Sequence, residues 1–254
     1  MIPQIIGLFI VFLCWGSFLN VVGYRLIRHY PLTGRSFCPH CRQTLSWYDL
    51  IPLVSYITLQ GRCRYCGNSI SFLYPFIEVV TALLLTCMIL FIDRQYWLGY
   101  GIFISALLVT IRTDFDKMLI SRLVTLALIP IAVVLSFFTM IPVLPQQSIL
   151  GALFGYSVLW IIAKVFYLIK KNEGMGDGDF DLLSMIGSFT GILGAWIALL
   201  LGSFLGVLAS IVHMIASRRI HIKIAFGPWL AAGALLYLFF QDFFLLMFDH
   251  INTF

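Results

Sequence analysis

Eight hydrophobic segments constrain the fold of this chain more than any other feature of its sequence. A helix needs about 20 apolar residues to cross a bilayer, and most of the segments approach that length. Hydrophobic residues make up 61% of the chain and charged residues 11%, whereas a soluble domain is about one quarter charged. The sequence therefore predicts an all-α polytopic membrane protein with about eight transmembrane helices. The predicted spans are 2–23, 73–92, 97–112, 118–140, 148–169, 182–199, 200–216 and 225–247.

Two of these segments need a separate interpretation. The first lacks a basic region ahead of its apolar stretch and lacks a small-residue cleavage site, so it is predicted to be a retained span and not a signal peptide. The apolar run 182–216 is too long for one span, and we predict that it divides in two. Its possible break points are Gly191, Gly194 and Gly202.

The basic residues lie almost entirely on one side of the predicted spans, and only Arg94 falls on the other. Because cytoplasmic loops carry an excess of Lys and Arg, that side is predicted to be the cytoplasm. Merging spans six and seven would move the basic residues of 218–223 outside, so the charges favour eight spans. This distribution also accounts for the net charge of +5 without a nucleic-acid partner. The residues on the basic side are Arg25, Arg28, Arg35, Arg42, Arg62, Arg64, Arg112, Lys117, Arg122, Lys164, Lys170, Lys171, Arg218, Arg219 and Lys223.

The loop 25–72 is the one sizeable predicted soluble segment, and it contains two CxxC pairs separated by 21 residues. Such spacing is typical of a four-cysteine zinc site, and a metal would help to organise a loop too small for a large core. Disulfides or unligated thiols are the alternatives, and a cytoplasmic location disfavours disulfides. His40 is interpreted as a loop residue, and Cys14 and Cys87 as packing residues inside spans. The predicted zinc ligands are Cys38, Cys41, Cys63 and Cys66.

Acidic residues cluster in two places beside predicted spans. Asp114 and Asp116 follow the third span, and four acids with three glycines occupy 173–181, before the sixth. Carboxylates beside a bilayer are costly to keep and usually have a function. We therefore predict that the two places meet at the cytoplasmic membrane edge and form a two-carboxylate site. The alternative is a polar turn with solvated acids. The acids and glycines of 173–181 are Glu173, Gly174, Gly176, Asp177, Gly178, Asp179 and Asp181.

Two close carboxyls can share a proton, so that one polarises a peptide carbonyl while the other activates water for attack. This chemistry predicts proteolysis without a covalent intermediate. His213 and His221 belong to no nucleophile motif, so a Ser–His or Cys–His mechanism is not indicated. The spacing alone does not rank Asp114 and Asp179 above Asp116, Asp177 and Asp181. Glu78, within the second span, is either functional or a polar contact between helices.

An ordered set of motifs runs along nearly the whole chain. Its stretches are Gly16-Ser17-Phe18-Leu19-Asn20-Val21-Val22, Tyr24-Arg25-Leu26, both cysteine pairs, Trp47-Tyr48-Asp49, Ile51-Pro52, Ser55-Tyr56, Tyr74-Pro75, Glu78, Gly176-Asp177-Gly178-Asp179 and Phe226-Gly227-Pro228. This set resembles the bacterial type IV prepilin peptidases, which are leader peptidases and N-methyltransferases with a GxGD signature. GxGD alone would be a weak signal, whereas the ordered set is specific.

The resemblance implies that Asp114 and Asp179 are the catalytic pair. It implies cleavage after glycine in type IV prepilins and type II secretion pseudopilins, followed by methylation of the new N-terminus with S-adenosylmethionine. The sequence offers no recognisable methyl-donor site. The implied location is the bacterial cytoplasmic (inner) membrane, in contact with lipid, and the oligomeric state stays open. The expected organisation is a first transmembrane helix over 1–24, a zinc-binding domain over 25–72 and a transmembrane protease core over 73–254.

The chain departs from the family pattern at three places close to the predicted site. Ser121 and Arg122 stand where the pattern often has Pro-Asp. Asp177 replaces a residue that is usually uncharged, and Asp181 stands where a lysine often follows. These changes are expected to alter the charge balance near the site and to leave activity intact, since both matched acids remain.

Two other classes of function remain open at this point. An ion or proton transporter could use Glu78 and the aspartates as a relay. A zinc-bearing membrane scaffold could use its acids only for structure. A transporter should place acids at mid-membrane, whereas most of the clustered acids here are predicted to lie in loops, and a scaffold does not need GxGD.

Overall fold

The structure is a computed structural model that describes residues 2–172, 175–217 and 225–252. Helices and the loops between them account for these residues, and no β-strand occurs among them. Short 3-10 helices occur at Trp47–Leu50 and Arg94–Tyr96. The α-helices are α1 (Ile2–Leu26), α2 (Val54–Thr58), α3 (Leu73–Phe91), α4 (Trp97–Lys117), α5 (Arg122–Phe137), α6 (Pro145–Lys170), α7 (Asp177–Ser217), α8 (Gly227–Phe239) and α9 (Gln241–Asn252).

Within the described residues, five helices are long and apolar enough to cross a membrane, namely α1, α3, α4, α6 and α7. A sixth span results if α8 and α9, which are bent by 79° at their junction, are counted together. Helix α5 is apolar but shorter, with 16 residues. Large apolar side chains remain exposed along α6, as expected for a helix whose outer face contacts lipid. The chain is therefore an all-helical, multi-pass membrane protein.

The apolar run that was predicted to divide in two forms two helices, numbered together as α7, that meet at a kink. Helix α7 runs through 41 residues and is interrupted only at Gly191, whose φ of 73° lies in a region that glycine tolerates without steric cost. The break lies within the predicted span 182–199 and not at its end. Gly194 and Gly202 are not breaks; both remain helical and make close contacts with neighbouring helices.

The helix ends near the acids also differ from the prediction, which placed most of these acids in loops. Helix α4 continues to Lys117, so Asp114 and Asp116 lie in its last turns. Helix α7 already begins at Asp177, which puts Asp177 and Asp179 in its first turn. The helix dipole favours the acids at the N-terminus of α7 and Lys117 at the C-terminus of α4, whereas it opposes Asp114 and Asp116 there.

The chain divides into two compact units, Met1–Leu90 and Phe91–Phe254. In the first unit, α1 packs closely on α3, since a Cβ at Gly16 would lie 2.8 Å from the Cα of Glu78. The buried Arg25, at the end of α1, donates hydrogen bonds of 2.6–3.1 Å to the carbonyl oxygens of five successive residues, 31–35. The two terminal nitrogens of the guanidinium group carry four hydrogens, so two of the three carbonyls around Nη1 share one donor. Arg25 therefore fixes the chain that leads into the first cysteine pair.

In the second unit, α6 and α7 cross with their backbones in contact. A Cβ at Gly151 would overlap the carbonyl oxygen of Gly187, and a Cβ at Gly187 would overlap that of Gly151. The hydroxyl of Ser148 donates to the carbonyl oxygen of Ser188 at 2.6 Å across the same crossing. Small residues that allow such approach are the usual means of joining helices in a membrane. This crossing anchors the helix that carries Asp179.

Candidate functional site

Four cysteine sulfurs converge in the first unit. The Sγ atoms of Cys38, Cys41, Cys63 and Cys66 all lie within 4.8 Å of one another, and those of Cys38 and Cys66 are 3.9 Å apart. Four thiolates around a tetrahedral zinc ion, each about 2.3 Å from the metal, would be separated by roughly 3.8 Å. The arrangement therefore fits a four-cysteine zinc site. Within the described residues this is the one group of metal-binding side chains, and it does not include His40.

The two cysteine pairs have the same backbone structure. In the first, the N–H of Cys38 donates to the carbonyl of Gln43 at 2.9 Å. In the second, the N–H of Cys63 donates to the carbonyl of Asn68 at 2.8 Å. Each loop is closed by an isolated antiparallel bridge, Phe37 with Thr44 and Arg62 with Ser69. This duplication was not predicted from the sequence, although the equal offset of 25 between corresponding residues could have revealed it.

The thiols within this cluster differ in acidity. The pKa of the Cys63 thiol is lowered to about 7, chiefly by the backbone N–H of Cys66, and burial opposes the shift. The backbone N–H of Asn68 acts to lower the pKa of the Cys66 thiol, but desolvation and the neighbouring sulfurs outweigh it and raise that pKa to about 11. Thiols crowded in this way do not all ionise readily together, and a bound cation would remove the conflict.

The second candidate site begins with Asp114, which is buried near the end of α4 and is 4% exposed. The backbone N–H of Gly227, at the start of α8, faces its carboxyl group. The Oδ2 atom is fully buried and has no hydrogen-bond partner among the residues that the structure describes. A buried carboxyl oxygen without a partner is costly, and such atoms are typical of sites that bind a further group.

Asp179 lies close enough to Asp114 for the two carboxyl groups to interact electrostatically. Asp179 is half-buried in the first turn of α7, where its N–H donates to the carbonyl of Gly176 at 3.1 Å. Ile120, in the α4–α5 connection, packs against glycines on both sides of this site. A Cβ at Gly178 would lie 2.9 Å from the Ile120 Cβ, and one at Gly227 would lie 3.0 Å from the Ile120 Cδ1. The glycines of the GxGD and Phe-Gly-Pro motifs thus allow the end of α4 to meet the starts of α7 and α8.

The other acids of the two clusters are engaged or exposed. Asp116 pairs with Arg112 on the same helix at 3.2 Å. The buried Asp181 pairs with Arg122 at 2.8 Å. Asp177 is exposed at the beginning of α7. Glu173 and Gly174 lie outside the described residues. Of the predicted site acids, Asp114 and Asp179 therefore lie close together, whereas Asp116 and Asp181 form ion pairs with arginines.

Glu78 has a structural environment that the sequence did not reveal. Its Oε2 atom accepts a hydrogen bond of 3.0 Å from the backbone N–H of Leu53, which immediately precedes α2. Its carboxyl group also contacts the side chain of Ser17 on α1. Leu53 has a φ of 60°, which is unfavourable for a residue with a side chain, and the bond to Glu78 helps to hold it there.

Two further cysteines lie outside the metal-binding group that the described residues form. Cys14 is exposed on α1, Cys87 is half-buried on α3, and both are free thiols. His213 lies on the last turns of α7. His221 lies outside the described residues, as do Arg218, Arg219 and Lys223, whose charges contributed to the predicted orientation.

Comparison with known proteins covers both units. Residues 10–92 match the family model described as the bacterial peptidase A24 N-terminal domain, and residues 101–211 match the type IV leader peptidase family. A prepilin leader peptidase/N-methyltransferase of Neisseria gonorrhoeae is 32% identical over 86% of this chain and 84% of its own length. Proteins of the same description from Aeromonas hydrophila and Bacillus subtilis are each 33% identical over 92% of this chain, and over 90% and 94% of their own lengths. No solved structure matches the sequence significantly.

Proposed function

This chain belongs to the type IV leader peptidase family, and on that premise we propose that it is a membrane aspartyl endopeptidase that removes the basic leader of type IV prepilins. The resemblance noted from the sequence motifs is thereby confirmed. The observation that carries the proposed mechanism is the proximity of Asp114 to Asp179. Related secretion pseudopilins are proposed as further substrates, cleaved after glycine in the same way.

In the proposed reaction the two carboxyl groups share one proton. The protonated member donates to the carbonyl oxygen of the scissile peptide, while the ionised member takes a proton from water, whose oxygen attacks the carbonyl carbon. The N–H of Gly227 holds the Asp114 carboxyl in orientation. Pairing with arginines leaves Asp116 and Asp181 less suited to the exchange of protons.

The substrate would reach the dyad from within the membrane. A cavity of about 350 Å³ lies beside the site, next to the residues that flank Gly227 and the GxGD motif. Its walls are mostly apolar and come from α6, α7 and the start of α8. This environment suits the hydrophobic segment of a prepilin, whose basic leader would remain at the membrane surface. The lining includes Leu159, Ile162, Met175, Leu199, Phe226 and Trp229.

The proposed setting is the bacterial cytoplasmic (inner) membrane, with the dyad and the cysteine cluster facing the cytoplasm and the outer faces of the helices in lipid. Eight spans result if α5 is a short span, if α7 crosses twice around Gly191 and if α8 and α9 form one bent span. We retain a first transmembrane helix over 1–24, a zinc-binding domain over 25–72 and a protease core over 73–254. The basic residues of the connecting segments support this orientation.

We also propose that the protein binds one structural zinc ion and N-methylates the cleaved substrate. Cys38, Cys41, Cys63 and Cys66 would hold the zinc, and their sulfur separations support that assignment. The ion would supply a cross-link that organises the loop. Methylation rests on the activity named for the relatives, and S-adenosylmethionine would supply the methyl group.

The transporter and scaffold alternatives have less support. A proton relay would require ionisable groups along the membrane interior, whereas Glu78 is committed to the Leu53 N–H and to Ser17. A scaffold would have no need to bury Asp114 with a free carboxyl oxygen beside a second carboxyl. Both observations favour the protease.

The direct test is incubation of the purified protein with a prepilin, with and without S-adenosylmethionine, followed by mass measurement of the products. The proposal predicts loss of the leader under both conditions and a further gain of one methyl group only with the donor. An intact prepilin under both conditions would contradict the proposal. Cleavage without methylation would limit the protein to the peptidase activity.

A further inference from the structure

Arg122 and Asp181 form an ion pair between two helices that begin beside the proposed dyad. The Arg122 Nε lies 2.8 Å from the Asp181 Oδ2. Arg122 is the first residue of α5, and Asp181 lies two residues after Asp179 on α7. We infer that this pair is a positioning element that fixes the start of α5 against the start of α7 and so sets the relative placement of Asp114 and Asp179. The inference rests on the proposed function.

The two partners are buried to very different degrees. The side chain of Asp181 is 1% exposed, whereas that of Arg122 is 60% exposed. A buried carboxylate must be paired or hydrogen-bonded, and Arg122 is the one cation within ion-pair distance of it in the described part of the chain. If Arg122 is removed, Asp181 must move toward water or take up a proton. Either change occurs on the first turns of α7, where Asp179 is held.

The segment between Asp114 and Arg122 transmits this constraint because it is held along its length. Asp114 contacts Gly227, Ile120 contacts both Gly178 and Gly227, and Arg122 contacts Asp181. The N–H of Met118 closes the end of α4 by donating to the Asp114 carbonyl at 2.9 Å. The connection is thus too short and too firmly packed to absorb a displacement of Arg122 without moving Ile120 or Asp114.

A charge-reversal series tests this inference in the full-length protein reconstituted with a prepilin. The variants are Arg122→Asp, Asp181→Lys, the double reversal, and the conservative Arg122→Lys. Each single reversal should lower kcat at least about tenfold with KM changed less than about threefold, because the dyad is displaced while substrate binding persists. The double reversal should return kcat to within about threefold of the wild type, and Arg122→Lys should do the same.

The control is Arg64→Gln, which removes an Nε–Oδ1 ion pair of the same 2.8 Å length from the other compact unit. It should change kcat less than about twofold, since neither Arg64 nor its buried partner Asp49 lies on a helix that carries the dyad. If a single reversal fails to fold, Asp181→Asn takes its place, with an expected loss of kcat in a folded protein.

Two results would overturn the positioning role. One is an unchanged kcat in the single variants, and the other is a double reversal whose kcat is no better than that of the worse single variant. Loss of cleavage by the wild type itself would instead contradict the proposed function.

Discussion

A Cβ atom on Gly227 would lie 2.7 Å from the Oδ2 atom of Asp114. That distance is shorter than an ordinary non-bonded contact between carbon and oxygen, so any side chain at position 227 would displace the carboxyl group. The backbone N–H of the same glycine faces the carboxyl. The absence of a side chain at this position leaves room for the Asp114 carboxyl group while the backbone N–H faces it. Helix α8 can therefore begin directly against Asp114.

The first prediction concerns this contact. Gly227→Ala should lower kcat/KM for prepilin cleavage at least about tenfold, or ~1.4 kcal/mol, because the added methyl group pushes the Asp114 carboxyl out of place. The measurement is the initial rate of leader release. Gly7→Ala is the control, since a Cβ at Gly7 would meet nothing within 4 Å, and its rate should match the wild type. A normal rate for Gly227→Ala would contradict this prediction, because it would mean that the added methyl group does not displace the Asp114 carboxyl.

The second prediction concerns the cysteine cluster. The purified protein should contain about one zinc ion per chain, and Cys38→Ser combined with Cys63→Ser should lose it, because two of four thiolates are removed. Metal analysis of both proteins is the measurement. Cys14→Ser serves as the control, since Cys14 lies outside the cluster, and it should keep the ion. A Cys38–Cys41 disulfide in protein kept under cytosolic redox conditions would contradict the zinc assignment.

A third prediction addresses the number of spans. A straight helix of the 41 residues in α7 would be about 60 Å long, roughly twice the hydrocarbon thickness of about 30 Å. If α7 crosses twice around Gly191, tags at Asn172 and Arg219 should both report the cytoplasm, together with a tag at Gln60. Tags at Gln146 and Asn252 should report the opposite side.

Accessibility of single cysteines introduced at these positions provides the measurement, in a background without Cys14 and Cys87. Opposite sides for Asn172 and Arg219 would mean that α7 is a single span. An outside signal at Asn172 would contradict the cytoplasmic placement of the dyad itself.

The sequence was sufficient for the features that depend on local spacing. The CxxC pairs predicted a four-cysteine group, and the structure confirms that the four sulfurs converge. The apolar segments predicted a helical membrane protein, and this too is confirmed. Both follow from short-range rules: the two thiols of a CxxC pair can bind the same metal ion, and a membrane helix needs a minimum length.

Features that depend on long-range pairing could not be predicted in this way. The partner of Asp181 lies 59 positions away, and the partner of Glu78 lies 25 positions away. Because these partners are not evident from the sequence, spacing alone could not rank the acids as catalytic candidates. The extension of α4 to Lys117 was also missed, because an apolar segment marks the hydrocarbon boundary and not the end of the helix. Gly191 was recognised as a possible break, but only its observed φ distinguishes it from Gly194 and Gly202.

The central claim is that Asp114 and Asp179 act as one catalytic unit, and prepilin cleavage by asparagine variants tests it most directly. Asp114→Asn and Asp179→Asn preserve the shape of the side chain and remove its ionisable proton. Each should abolish leader release in a protein that still inserts and binds zinc, and the double variant should be no worse than either, since the two residues act together. Asp116→Asn, Asp177→Asn and Asp181→Asn should retain measurable cleavage, with a lowered kcat only in Asp181→Asn, which loses the ion pair with Arg122. Methylation of a pre-cleaved pilin should survive in both dyad variants. Normal cleavage by Asp179→Asn would contradict the account and favour a transporter or a scaffold.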